Sequence, residues 1–131
     1  MTHMTTLSQG VKGGAMRVLM NHIYEYKKGV RRLVLYTFNG IYEKYAIERL
    51  EHQQISYFIM PLSNGHVNLF FGRPECLAEV KKFADKPLSA LTPEEDFILG
   101  ALLGYDLSIQ SERYVSRKDR GIIQLPQNRL I

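Results

Sequence analysis

Few side chains in this sequence have the types and spacing that catalysis or metal binding requires. The four histidines, His3, His22, His52 and His66, are scattered along the chain. His22 and Glu25 are three residues apart and would share one face of a helix, but a metal site needs further ligands and none is evident. We therefore predict no metal site, and a half-buried histidine with a backbone partner is the simpler interpretation of His22.

Cys76 is the other side chain with reactive potential. It stands at the start of a predicted helix, where the helix dipole lowers the pKa of a thiol. It also shares a helical stripe with Leu77 and Val80, which is typical of a buried structural cysteine. A ligand-binding or catalytic pocket near His22, His66 and Cys76 stays open as an alternative. We predict no catalytic residue and no cofactor.

Positive charge is concentrated near the two ends of the chain. Residues 1–40 carry a net charge of +5, residues 41–110 carry −4 and residues 111–131 carry +3, within a formal total of +4. If the ends meet in space, they form one positive surface that attracts nucleic acid or an acidic protein. A solvated surface without a partner is the alternative. The predicted contact residues are Lys27, Lys28, Arg31, Arg32, Arg117, Lys118 and Arg120.

RNA is a further candidate partner. Tyr24, Tyr26 and Tyr114 lie near the basic residues, and aromatic rings beside cations suit bases and phosphates. The same tyrosines fit helical core spacing, and the sequence has no recognisable RNA-binding motif. Whether these tyrosines and basic residues can bind RNA therefore depends on whether the helices and strands bring them to one surface.

The strongest local signal for those elements is a β-hairpin over residues 55–72. Asn64 and Gly65 separate two β-rich apolar runs, and both residues tolerate the positive φ of a tight turn. Proline lacks the N–H that a two-residue loop would need at position 61. We therefore predict a four-residue loop closed by Leu62 and Val67, or else an edge position for this strand.

A second set of patterns predicts the remainder of the sheet. Residues 30–38 are β-branched and aromatic without polar alternation, which favours a central strand. The helical pattern of residues 41–53 follows, and a strand, helix and strand imply a right-handed crossover. We predict that the first strand pairs in parallel with residues 55–60. The predicted fold is α+β, with a three-stranded mixed sheet covered by about five helices.

The remaining helices carry local start and stop signals. Apolar residues at helical spacing predict a helix from Met16 to Lys28, followed by Gly29 as its C-terminal cap. Pro74 opens a third helix, and Thr92 with Glu95 forms a capping box for a fourth. A fifth helix is predicted over residues 107–118, capped by Asp106.

The fourth helix contains the run FILGALLGY, which is apolar almost all round. Such a helix is central in its domain or faces another subunit. Gly100 and Gly104 lie one turn apart and leave a groove for a second backbone. We predict a homodimer interface made of Phe97, Ile98, Gly100, Ala101, Leu102 and Gly104.

The bulk properties indicate one soluble domain. A length of 131 residues suits a single core, and the single cysteine excludes an intrachain disulfide framework and fits a reducing compartment. No apolar run approaches the length of a membrane span. We predict a cytoplasmic protein with a disordered leader at residues 1–15, a single α+β domain at residues 16–121 and a C-terminal tail at residues 122–131. The tail is expected to pack on the domain or on a neighbouring subunit.

Three stretches carry a resemblance to a known family: MNHIYEYKKGVRRLVLYTF, VNLFFGRPECLAEVKKF and LTPEEDFILGALLGYDLSIQSERY. Together they resemble a small bacterial domain-of-unknown-function family, number two thousand and twenty-three, over about residues 16–120. The resemblance implies three strands, five helices and a homodimer. It also implies genes that lie beside a flavodoxin gene, and flavodoxins are acidic around the flavin. It implies no catalytic residue.

The resulting functional hypothesis is a non-enzymatic, homodimeric accessory protein. It would dock an acidic partner, such as a flavodoxin, through a basic surface formed by both ends of the chain. The pocket near His22, His66 and Cys76 and the binding of RNA remain the two alternatives.

Overall fold

The computed structural model describes residues 2–121 of the chain, with side chains described for residues 13–120. Short 3-10 turns at Gly40–Tyr42 and Leu88–Ala90 precede the second and fourth helices. The architecture is α+β, and none of the described helices has the length and apolar character needed to cross a membrane. The elements are α1 (Thr2–Lys27), β1 (Leu33–Asn39), α2 (Glu43–His52), β2 (Ser56–Pro61), β3 (His66–Gly72), α3 (Pro74–Lys81), α4 (Pro93–Leu102) and α5 (Leu107–Gly121).

The sheet is entirely antiparallel, with strand order β1-β3-β2. The predicted parallel pair is therefore wrong, and the sheet is not mixed. β1 and β2 run in the same direction, but β3 lies between them and pairs with both. β3 takes the central place because residues 67–72 are all buried, whereas Thr37 and Asn39 of β1 are exposed. The prediction that the first strand is central is wrong for the same reason.

The predicted hairpin is present, but its register differs by one residue. The Leu62 N–H donates to the His66 carbonyl at 2.9 Å, so the loop has three residues rather than four. Gly65 has a φ of 84°, which is the left-handed conformation that three-residue loops require. Pro61 lies opposite Val67 between hydrogen-bonded pairs, so its missing N–H faces the outer edge of the sheet.

Two apolar clusters cover the two faces of the sheet, because side chains alternate between faces along each strand. On one face, α1 and α2 pack against residues 34 and 38 of β1. On the other face, α3 and α4 pack against residues 33 and 70, and α5 packs on the outside of α4. The first cluster includes Leu19, Ile23, Val34, Phe38, Ala46 and Leu50, and the second includes Leu33, Phe70, Leu77, Val80, Leu99 and Leu103.

Helix α1 begins within residues 1–15, which the sequence predicts to be a disordered leader. The helix runs from Thr2, and the Tyr36 hydroxyl donates to the Ala15 carbonyl at 2.9 Å. Met16, Leu19 and Ile23 are buried and Met20 and Tyr26 are partly buried, as the periodicity predicts. The predicted tail at residues 122–131 lies outside the described residues.

Candidate docking site

The first basic group lies where α1 ends and β1 begins. Gly29 adopts a φ of 81°, and its N–H donates to the Tyr26 carbonyl at 3.0 Å. The Val30 N–H donates to the Glu25 carbonyl at 3.0 Å. These two bonds end the helix as the glycine signal predicts. The chain then turns, which places Arg31 and Arg32 directly before the sheet.

His22 belongs to a small polar cluster beside this turn. Its Nδ1 lies 3.2 Å from a terminal nitrogen of Arg31, and the same nitrogen lies 3.4 Å from Glu25 Oε1. The His22 ring packs against Tyr36 at a centroid distance of 5.3 Å. His22 is thus a half-buried residue, and the partners shown for its ring are side chains rather than the backbone.

Arg32 and Arg73 are neighbours across the β1–β3 ladder. The Arg73 N–H donates to the Arg32 carbonyl at 2.9 Å, one step beyond the last pair of the sheet. α3 begins immediately afterwards at Pro74. With the end of α1, these residues border a cleft of about 520 Å³, which we call the basic cleft. Its lining residues are Tyr26, Lys27, Gly29, Arg31, Arg32, Arg73, Pro74 and Glu75.

Positive charge dominates the basic cleft. Four of its side chains are cations, whereas Glu75 is the only acid among the described residues that line it. Glu75 Oε2 accepts a hydrogen bond from Arg73 Nε at 2.8 Å. A hydrogen bond from its own backbone N–H is the main cause that lowers the pKa of Glu75, and the charge of Arg73 adds to it. Within residues 13–120, the Arg32 side chain has neither a hydrogen-bond nor an ion-pair partner.

The second basic group lies on α5, and its side chains bind to acceptors within the same chain. Arg117 donates to the Leu91 carbonyl at 2.8 Å and lies 3.3 Å from Asp96 Oδ1. Lys118 Nζ donates to Glu94 Oε2 at 2.7 Å. These bonds hold α5 on α4, on the opposite side of the sheet from α1. Arg120, the last of the group, donates to Ser116 on its own helix. The structure therefore does not bring the two predicted basic groups together.

The glycine groove that was predicted for a second subunit is filled within the chain. A Cβ atom added at Gly100 would lie 1.9 Å from the Gln110 amide nitrogen, so the side chain of α5 occupies this space. Gly104 follows the end of α4 with a φ of 85°. Leu99 on the same helix and Leu103 directly after it face the core.

The remaining residues of the predicted interface are divided between the core and the surface. Leu102 packs against the core, and Phe97 packs edge-on against Tyr114 at a centroid distance of 5.8 Å. Ile98 and Ala101 are exposed. The predicted dimer interface thus retains an accessible part around Ile98.

The three residues of the alternative pocket lie in separate places. His22 is on the α1 side of the sheet, and Cys76 is buried in the cluster on the α3 side. His66 lies opposite Asn39, at the other end of β3 from Cys76. Burial raises the pKa of the Cys76 thiol, which keeps it protonated at neutral pH. No group of His, Cys, Asp and Glu among the described residues has an arrangement suited to a metal ion.

Two of the three tyrosines that were candidates for RNA binding pack against phenylalanine rings within the chain. Tyr26 lies edge-on to Phe71 at 6.1 Å, and Tyr114 packs against Phe97. Tyr24 is exposed, with Lys28 Nζ 5.4 Å from the centre of its ring. One exposed ring offers little stacking surface for bases.

Comparison with known proteins adds a family but no activity. A family model described as "Protein of unknown function (DUF2023)" matches residues 17–117. The matched range contains the whole basic cleft. No curated protein matches the chain.

Proposed function

We propose that this chain, which belongs to the DUF2023 family of proteins of unknown function, docks an acidic protein partner through the basic cleft. The observation that carries the proposal is the imbalance of charge in one place. Lys27, Arg31, Arg32 and Arg73 line the cleft against the single carboxylate of Glu75. Such a surface accelerates the approach of a negatively charged partner and selects against a positively charged one.

The partner class follows from the charge and from the resemblance described above. An acidic protein complements a cleft that has a net positive charge. A flavodoxin is the partner we propose, because flavodoxins are acidic around the flavin and the family's genes are expected beside a flavodoxin gene. The proposed role is that of a non-enzymatic accessory protein.

The proposed contact surface is smaller than the one predicted from sequence. Lys27, Arg31 and Arg32 remain in it, and Arg73 joins them. Arg117 and Lys118 are left out because they lie on the other side of the sheet from the basic cleft, where they pair with Asp96 and Glu94. Their charge is largely compensated within the chain.

Substitution of Arg32 tests the docking proposal. Arg32→Glu should weaken binding to a purified flavodoxin by at least about tenfold in isothermal titration calorimetry, because a cation in the contact becomes an anion. The complex should also become less sensitive to added salt. Arg32 is suitable because its side chain has no partner among the described residues.

The matched control is Arg17→Glu, which makes the same charge change at an exposed position on α1 outside the cleft. We expect Arg17→Glu to bind within about twofold of the wild type. Equal weakening by both substitutions, or no binding of flavodoxin by the wild type, would contradict the proposal.

We propose in addition that the chain forms a homodimer through the part of α4 that α5 leaves open. Glu94, Phe97, Ile98 and Tyr114 border a mainly apolar depression of about 320 Å³. An exposed apolar surface of this kind is typical of a protein interface. Exposed large apolar residues on α4, α5 and the turn between them are Ile98, Tyr105, Leu107, Ile109 and Val115.

A further inference from the structure

The basic cleft contains two arginines at opposed positions, where a bound anion would reduce their mutual repulsion. Arg32 and Arg73 lie directly opposite each other at the end of the β1–β3 ladder. Like charges in opposed positions of an antiparallel pair repel each other. Glu75 relieves part of this repulsion by reaching back from the first turn of α3 to Arg73. Arg32 has no such carboxylate among the described residues.

We infer that the basic cleft is a binding site for a carboxylate group, and that Glu75 occupies part of this site until a partner's carboxylate displaces it. The inference rests on the proposed docking function and specifies the chemical group that the partner presents. In the bound state the incoming carboxylate lies between the Arg32 and Arg73 guanidinium groups. Glu75 then turns towards solvent.

The pair formed by Arg73 and Glu75 is suited to such an exchange. Their side chains are 52% and 64% exposed, respectively. Exposed ion pairs contribute little net stability, because each group is well solvated when they separate. A carboxylate held by two guanidinium groups makes more charge-assisted hydrogen bonds than Glu75 makes with one. The exchange therefore favours the partner's group.

Removal of the internal carboxylate tests this inference without a protein partner. Citrate is the probe, and the backbone N–H signals of Gly72, Arg73, Glu75 and Cys76 report its binding by NMR titration. Glu75→Gln should bind citrate about threefold more tightly than the wild type, since an exposed competitor is removed. Arg32→Glu should bind citrate at least about threefold more weakly.

Glu79→Gln is the matched control. Glu79 lies one turn further along α3, pairs with Lys82 and does not line the cleft. Its substitution changes the net charge by the same amount. Equal gains from Glu75→Gln and Glu79→Gln would overturn the inference, because they would reflect overall charge rather than competition. Absence of citrate-induced shifts at residues 72–76 in Glu75→Gln would also overturn it.

A parallel titration with flavodoxin separates this inference from the docking proposal. If Arg32→Glu no longer binds flavodoxin and Glu75→Gln binds it as tightly as the wild type, the docking proposal is supported and the inference that Glu75 competes for the site is contradicted. If Glu75→Gln binds citrate more tightly than the wild type and neither the wild type nor any variant binds flavodoxin, the carboxylate site is supported and the docking proposal is contradicted. Thermal unfolding of each variant checks that the domain remains folded.

Discussion

At the scale of single residues, Gly72 shows how closely the backbone passes at the edge of the basic cleft. Its φ is 148°, and a Cβ atom at this position would lie 2.3 Å from the Arg32 carbonyl oxygen. The contact is with backbone, which cannot rotate away as a side chain can. A glycine is therefore required where β3 leaves the sheet and turns into α3.

We predict that Gly72→Ala lowers the free energy of unfolding by at least about 2 kcal/mol, because the strand must shift to admit the methyl group. Urea denaturation measures the change. Gly104→Ala is the control: its φ is 85°, but an added Cβ meets nothing within 4 Å. It should cost about 1 kcal/mol, from backbone conformation alone. Equal losses in the two variants would contradict the backbone clash.

Residues of the candidate site were predictable only where they are close together in the sequence. The run of basic residues from Lys27 to Arg32 is visible in the sequence, and it lies at the cleft. Arg73 was missed because it is far from Arg32 along the chain and becomes its neighbour only through strand pairing. Arg117 and Lys118 have the appearance of free surface charge, since a sequence does not show that Asp96 and Glu94 lie within reach.

At the scale of elements, α5 is held on α4 largely by polar contacts. Asp96 Oδ2 accepts from Arg113 Nε at 2.6 Å, and Arg117 lies 3.3 Å from Oδ1. Partial burial alone would raise the pKa of Asp96, but the hydrogen bond and charge of Arg113, together with Arg117, lower it on balance. The carboxylate of Asp96 therefore stabilises the helix pair in its ionised form.

We predict that Asp96→Asn lowers the free energy of unfolding by about 1–3 kcal/mol at pH 7, because two guanidinium groups lose the carboxylate charge that they share and one of its two acceptor oxygens. The folded pKa of Asp96 is lowered, so its contribution is complete above the ordinary value of 3.8 and is lost as the pH falls through the folded pKa. Urea denaturation at pH 7 and near pH 2 measures both effects.

The gap in stability between wild type and Asp96→Asn should therefore narrow in acid. Glu94→Gln provides the comparison, since its pairs with Lys118 and Tyr114 are exposed and its effect should be smaller. A gap of the same size at both pH values would show that the Asp96 charge is not the cause.

The helices and the three strands were predictable because their signals are local, whereas the order and pairing of the strands were not. Thr92 and Glu95 make both bonds of the predicted capping box, at 2.9 and 3.1 Å. Asp106 accepts from the first N–H groups of α5, as its position predicts. Strand order instead depends on which strand buries both faces, and the hairpin register depends on the φ of Gly65. Neither property follows from apolar spacing.

At the scale of the whole molecule, the sheet separates two surfaces of different character. The α1 side and the strand ends carry the net positive charge of the basic cleft, in which Glu25 and Glu75 pair with Arg31 and Arg73 and no described carboxylate pairs with Arg32. The α4–α5 side carries compensated charge and most of the exposed large apolar residues among those described. The surfaces proposed for docking and for self-association therefore do not overlap.

We predict that Ile98→Asp converts a dimer into a monomer, because a carboxylate would be buried at the centre of the apolar depression. Sedimentation velocity at several concentrations measures the change in mass. Ile41→Asp is the control, since Ile41 is a more exposed apolar residue beside α2. A wild type that sediments as a monomer at high concentration would refute the α4 interface.

The position of β3 between the two earlier strands has a consequence for biosynthesis. β1 is the first of the three strands to leave the ribosome, yet its partner in the sheet is β3, the last strand to be synthesised. For roughly a few seconds at ordinary translation speed, the nascent chain carries an apolar strand with both edges open. Folding of this sheet is therefore completed only after Gly72 has emerged, and the waiting strand is the segment that chaperones would meet.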